Sequence, residues 1–254
     1  MLKKLFSHCF VVIFIYSTNT AASDFVAPKT DEKITVDGLN NEKSWQLATW
    51  YPIDKLMVGS MPKAADFSGR FKLLWDKQYL YLQAEIIDDI IFDQHSDPLH
   101  FYWDDDCLEI FIDEDKSGGD HLNNFNAFAY HIGIDNQSVD IGTVPPNGET
   151  QFVLLNDHIT SHWRRSSAKP NTIVWEVAMS IYNDTFVFPN ENNAIKPIRL
   201  HAKKEMGFML AYCDNDGSEF RESFMGSTDI KPVNGDKNLG YKTADVFGSV
   251  ILKP

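Results

Sequence analysis

Apolar and polar positions alternate with period two along much of the chain. From Tyr79 to Ile87, Leu80, Leu82, Ala84 and Ile86 interleave with Tyr79, Tyr81, Gln83 and Glu85, the pattern of a strand with one buried face. Phe71 to Trp75 precedes it, and the polar Asp76-Lys77-Gln78 between them predicts a hairpin turn. Further strands are predicted over Cys107–Asp113, Ala127–Ile134, Val139–Val144, Gln151–Leu155, Thr172–Ser180, Met206–Cys213 and Val246–Leu252. Turn-forming residues separate them at Asp115–Gly119, Pro145–Gly148 and Lys231–Gly240. No run of 12 or more residues carries a helical period, and no internal repeat appears. The expected fold is all-β: one antiparallel β-sandwich with jelly-roll or Greek-key connections.

The first residues change the picture of the compartment. Lys3 and Lys4 precede an apolar run from Leu5 to Tyr16, followed by the small and polar stretch Thr18 to Ser23. This is the layout of a secretory signal peptide, so residues 1–23 are expected to be removed and 24–254 to form one secreted domain, periplasmic or extracellular. The apolar run is short for a hydrocarbon core of about 30 Å, and membrane insertion is not expected after cleavage. The formal net charge of −13 deepens to about −15 without the two lysines. Such a balance disfavours nucleic acid and fits solubility, neutral sugars or bound cations. Cys9 falls in the leader, leaving Cys107 and Cys213. Either one disulfide or two buried thiols is open for that pair. No Cys-x-x-Cys or Cys/His spacing points to zinc.

Four ordered groups of residues carry a family likeness. They are Ile34-Thr35-Val36-Asp37-Gly38-Leu39 with Trp45; Leu74-Trp75-Asp76 with Tyr79-Leu80-Tyr81 and Asp88; Trp103-Asp104-Asp105-Asp106-Cys107-Leu108-Glu109-Ile110-Phe111-Ile112-Asp113; and Val174-Trp175-Glu176-Val177-Ala178 with the closing Val246-Phe247-Gly248-Ser249-Val250. In this order they resemble the carbohydrate-binding modules of family 9. The third group is the most specific. Trp45, Trp75 and Trp175 are expected in the core, and Gly38 and Gly248 at turns.

A pyranose presents an apolar C–H face and a rim of hydroxyls, so its site needs flat aromatic walls with polar groups at the edge. The resemblance places one wall at Trp103 and the other at Tyr241, where the family has tryptophan. It places rim hydrogen bonds at Glu109 and Arg221. A further family arginine falls on Ala129, and Asn126 and His131 stand nearby as substitutes. The ligand implied is a polysaccharide or oligosaccharide of the xylan or glucan class, bound by a monomer without catalysis.

Asp113-Glu114-Asp115-Lys116-Ser117-Gly118 opens like a D-x-D-x-S-G calcium loop, with Asp113, Asp115, Ser117 and Asp120 as candidate ligands. Position twelve is Asn124, unlike a full EF-hand loop. The resembled family also binds calcium structurally. Three other readings compete: a xylanase-like glycoside hydrolase using two of the many carboxylates, a haem-binding sandwich using Met or His ligands, and a protein-binding adhesion module.

Overall fold

A computed structural model describes residues 24–143 and 148–254, so the expected leader over residues 1–23, Val144 and most of the predicted Pro145–Gly148 turn lie outside the described residues. Fourteen strands follow in chain order. They are β1 (Phe25–Pro28), β2 (Tyr51–Ile53), β3 (Lys55–Gly59), β4 (Phe67–Trp75), β5 (Leu80–Asp88), β6 (Cys107–Asp113), β7 (Phe128–Gly133), β8 (Ser138–Ile141), β9 (Phe152–Leu154), β10 (Ile159–Arg165), β11 (Ile173–Met179), β12 (Glu205–Asp214), β13 (Ser223–Gly226) and β14 (Gly248–Lys253). Among the described residues the longest helical piece is a 3₁₀ turn at Lys43–Leu47, and no helix is long and apolar enough to cross a membrane.

The strands form two sheets. One has nine strands, in the order β1-β14-β12-β6-β7-β8-β9, with β13 pairing both β12 and β3; the other has five, in the order β10-β11-β5-β4-β2. The chain passes between the sheets at β1–β2, β2–β3, β3–β4, β5–β6, β9–β10 and β11–β12, the crossings of a Greek-key-like sandwich. All pairs are antiparallel except β1 with β14, which run parallel and bring Phe25 beside Val250.

Period two divides each strand of the large sheet. Leu108, Ile110 and Ile112 of β6, with Phe208, Leu210 and Tyr212 of β12, face the five-stranded sheet and join the main core. Cys107 and Phe111, with Met209, Ala211 and Cys213, face outward into a second apolar layer. Trp45, Trp75 and Trp175 are all buried. Burying large side chains of this kind contributes roughly 1.5–3 kcal/mol each.

The sequence motifs are largely turn clamps. Asp76 Oδ1 accepts the amides of Gln78 and Tyr79, and its Oδ2 accepts the Tyr81 hydroxyl, which closes the β4–β5 hairpin. Buried Glu176 accepts the amides of Asp37 and Gly38 at 3.0 and 2.8 Å and the Gln83 side chain at 3.0 Å, strapping the N-terminal segment to β11. Gly38 has φ +73°, as a turn requires. Gly248 works differently from the expected turn: a Cβ there would meet Asp24, Thr228 and Phe208 at 3.1–3.2 Å, so it serves close approach.

Candidate functional site

The outward face of β6 and β7 supplies a polar floor. Glu109 stands directly opposite His131 in the β6–β7 register, and both are buried. His131 Nε2 lies 3.1 Å from Glu109 Oε2. Burial pulls the imidazole pKa down, but the adjacent Glu109 carboxylate outweighs it and holds His131 above its ordinary value. The Nδ1 of His131 is buried without a partner.

Arg221 reaches the same floor from the β12–β13 loop. Its amide donates to Asp104 Oδ1 at 3.3 Å, its guanidinium lies 4.3 Å over the Phe224 ring, and Nη1 donates to Cys213 Sγ at 3.2 Å. These contacts fix a fork of donors beside Glu109, a geometry suited to adjacent hydroxyls.

Two loops raise aromatic walls above this floor. The turn Tyr102–Asp104 carries Trp103, and Phe101 enters it in the left-handed region at φ +49°. Trp103 packs against Phe101, Tyr102 and Phe152 with ring centroids 5.5, 5.0 and 5.6 Å away. Tyr102 is buried edge-on against His131 at 4.7 Å, tying wall to floor. The other wall is Tyr241, whose loop is pinned by His121: its Nε2 hydrogen-bonds the Gly240 carbonyl at 2.7 Å, and its amide donates to the Lys242 carbonyl at 2.9 Å. Gly240 has to be glycine, because a Cβ would lie 2.6 Å from Phe111 Cε1.

Trp103, Tyr241, Glu109, His131 and Arg221 thus line one cavity of about 440 Å³. That volume is in the range of small-molecule sites, and its mixture of flat apolar walls and a few fixed polar groups is what such sites share. Tyr102, Leu122, Ile141, Thr150, Phe152 and Asn238 also line it and were not anticipated. Phe152 had a signal in the predicted 151–155 strand; Leu122, Thr150 and Asn238 come from loops whose course no local pattern reveals.

Other anticipated residues lie elsewhere. Asn126 does not line the cavity: its side-chain amide donates to the Gly118 carbonyl at 2.7 Å and so braces the 118–126 loop. Ala129 pairs with Phe111 on the outward face, and its amide donates to buried Asp140. Cys107 and Cys213 are free buried thiols in direct cross-strand register. Burial pushes the Cys107 thiol up. Their convergence with His131, ligating atoms within 4.8 Å, was invisible in the spacing.

The anticipated cation loop holds Asp113, Asp115 and Ser117 in mutual contact, the Asp115 carboxylate meeting both the Asp113 carboxyl and the Ser117 hydroxyl. Asp113 Oδ2 accepts the Gly118 amide, Asp115 Oδ1 the Ser117 amide and Asp120 Oδ1 the Leu122 amide, so these carboxylates brace their own turns. Among the described residues, the acidic groups that bring three ligating atoms within 4.8 Å are Asp88 with Asp106 and Asp214, and Asp66 with Asp89 and Asp216.

Comparison with known proteins gives a family and a fold. A family described as carbohydrate family 9 binding domain-like matches residues 36–254. A carbohydrate-binding module of family 9 from Caldicellulosiruptor kristjanssonii, solved with cellotriose, superimposes with a TM-score of 0.61 at 17% identity, covering 90% of this chain and 93% of that one. The same module has been solved with glucose. Endo-1,4-beta-xylanase A of Thermotoga maritima is 25% identical over 143 residues, and endo-1,4-beta-xylanase C of Paenibacillus barcinonensis is 32% identical over 104. The matches take in 55% and 41% of this chain, but only 13% and 9% of those xylanases.

Proposed function

The chain belongs to carbohydrate-binding module family 9, and from that premise we propose that the cavity on the outer face of the nine-stranded sheet holds a xylan- or glucan-type oligosaccharide without cleaving it. The observation that carries this reading is the convergence of Trp103 and Tyr241, 138 positions apart in sequence, on one cavity floored by Glu109, His131 and Arg221. The rings offer C–H stacking to a pyranose face, while the carboxylate and the guanidinium take pairs of adjacent hydroxyls. Glu109 is the one carboxylate among the described lining residues and is already engaged by His131, whereas glycoside hydrolysis generally takes two flanking the scissile bond. The leader-like pattern of residues 1–23 supports export, which puts the module where polysaccharide is found.

Calorimetric titration with glucose, cellotriose and xylotriose tests the assignment. Trp103→Ala and Tyr241→Ala should each weaken binding about tenfold or more, the loss expected when ~60–80 Å² of stacked apolar contact is removed at about 25 cal/mol/Å². Folded variants with unchanged affinity would remove the cavity from consideration. Release of reducing sugar from xylan by the purified chain would overturn the non-catalytic reading.

A further inference from the structure

Two thiols and an imidazole meet in the outward layer of the nine-stranded sheet. They come from three strands that are neighbours in that sheet: His131 from β7, Cys107 from β6 and Cys213 from β12. Cys107 lies directly opposite Cys213, and Glu109, two residues on and so on the same face as Cys107, lies directly opposite His131. One ligating atom from each of Cys107, Cys213 and His131 falls within 4.8 Å of the others. The three are buried, with exposures of 1, 0 and 7%. Along the chain they are 24 and 82 positions apart, so no linear spacing announces them.

Their surroundings fit a metal-ligating set. His131 Nε2 lies 3.1 Å from Glu109 Oε2, and Nδ1 is buried with no partner. A ligating histidine gives its second ring nitrogen to a carboxylate or carbonyl, which fixes the tautomer and frees the first nitrogen for the ion. Left empty-handed, that nitrogen is an uncompensated cost of burial. Arg221 Nη1 donates to Cys213 Sγ at 3.2 Å, a hydrogen bond that a metal-bound thiolate can keep. The charges close as well: two thiolates balance one divalent cation, and Glu109 balances Arg221. Sulfur and imidazole select zinc over calcium or magnesium, which take oxygen. Sulfurs about 2.3 Å from a tetrahedral zinc lie about 3.8 Å apart, inside the spread of these ligating atoms.

We propose that Cys107, Cys213 and His131 hold a zinc-class divalent cation as two thiolates and one imidazole, leaving a fourth coordination position for water. Each thiol gives up its proton to solvent as the ion enters. The ion clamps β7, β6 and β12 together beneath Glu109 and Arg221. Without it His131 is a free imidazole whose proton equilibrium is set by burial and by Glu109. The inference shares Glu109, His131 and Arg221 with the cavity and does not depend on sugar binding.

The test uses the purified untagged chain, reduced, stripped with a chelator and titrated with zinc chloride in competition with a chromogenic chelator. One zinc should bind per chain and raise Tm by several degrees. Cobalt chloride in place of zinc should give the thiolate charge-transfer absorption of a sulfur-ligated ion. The double variant Cys107→Ala/Cys213→Ala should lose zinc affinity about a hundredfold or more. A stripped wild-type chain that takes up no zinc, or whose cobalt form lacks the thiolate band, overturns the proposal, and these arms hold even if the double variant does not fold. Unchanged zinc affinity in a folded double variant overturns it too, as does recovery of Cys107 and Cys213 as a disulfide from the exported chain. Titration of the stripped chain with cellotriose reports on the cavity separately, so failure of one reading is distinguishable from failure of the other.

Discussion

Replacing Glu109 by Gln keeps an acceptor for His131 and removes only the charge, so it isolates what that charge does. In the wild-type chain two influences of Glu109, its charge and its hydrogen bond, outweigh the burial that pulls His131 down, and the folded imidazole binds its proton more tightly than an unfolded one. The sign follows from linkage. A raised folded pKa contributes stability that is complete below the unfolded value near 6.5 and is lost as pH rises through the folded value, with a slope of up to about 1.4 kcal/mol per pH unit. In Glu109→Gln the raising influence disappears while burial stays, so the folded pKa drops below the unfolded one and the slope contributed by His131 changes sign. Between pH 6 and 8 the stability gap between wild type and variant should therefore narrow by about 1–2 kcal/mol. Urea denaturation at half-unit pH steps measures the gap. Asp140, pushed up to about 7 by burial and sensitive to both His131 and Glu109, titrates in the same window. The His131 ring resonances should therefore be followed by NMR in parallel. Parallel stability curves together with an unmoved His131 titration would refute the reasoning.

Gly240→Ala places a methyl group 2.6 Å from the Phe111 ring and 2.9 Å from the Met209 methyl, so the loop must lift and carry Tyr241 with it; sugar affinity should fall severalfold in calorimetry, with a stability loss of about 1–3 kcal/mol in urea. His158 is buried, stacks on Tyr182 at 4.0 Å and hydrogen-bonds the Tyr130 hydroxyl at 2.7 Å, and burial lowers its pKa to about 3. The stability this gives is complete above the unfolded value near 6.5 and is lost as pH falls toward about 3, so His158→Phe should lose less stability than wild type between pH 6.5 and 4, measured by urea denaturation at each end.

The strands that were legible are those with two faces of contrasting polarity. β5 and β6 fill predicted spans almost residue for residue because their burial is set by the sandwich core. The five unanticipated strands are β1, β2, β3, β10 and β13. Pro52 interrupts β2, which sits at a sheet edge where the missing amide costs nothing. β10, Ile-Thr-Ser-His-Trp-Arg-Arg, reads as polar because its other edge is unpaired in the sheet order and most of its residues stay accessible. The cavity was legible where family motifs mark it, at Trp103, Glu109, Arg221 and Tyr241, and His131 joined it through its position opposite Glu109. Asn126 turns its side chain to the Gly118 carbonyl and not into the cavity, because sequence proximity to that strand says nothing about which way a loop amide turns. The aspartate cluster was hidden for a related reason: Asp104 ends a 3₁₀ turn and Asp105 and Asp106 lie in the bend before β6, so strand alternation does not sort them, and what selects Asp106 is its meeting with residues 88 and 214 across two sheets.

The division of labour between strand and loop in the cavity separates positions that can change freely from those that cannot. Glu109 and His131 sit on paired strands whose opposite faces build the core, so a one-residue slip in register would exchange floor for interior. Trp103, Thr150, Asn238 and Tyr241 come from connections free of that bookkeeping. A substitution at the rim can thus reshape the mouth of the cavity while leaving the paired strands beneath it undisturbed.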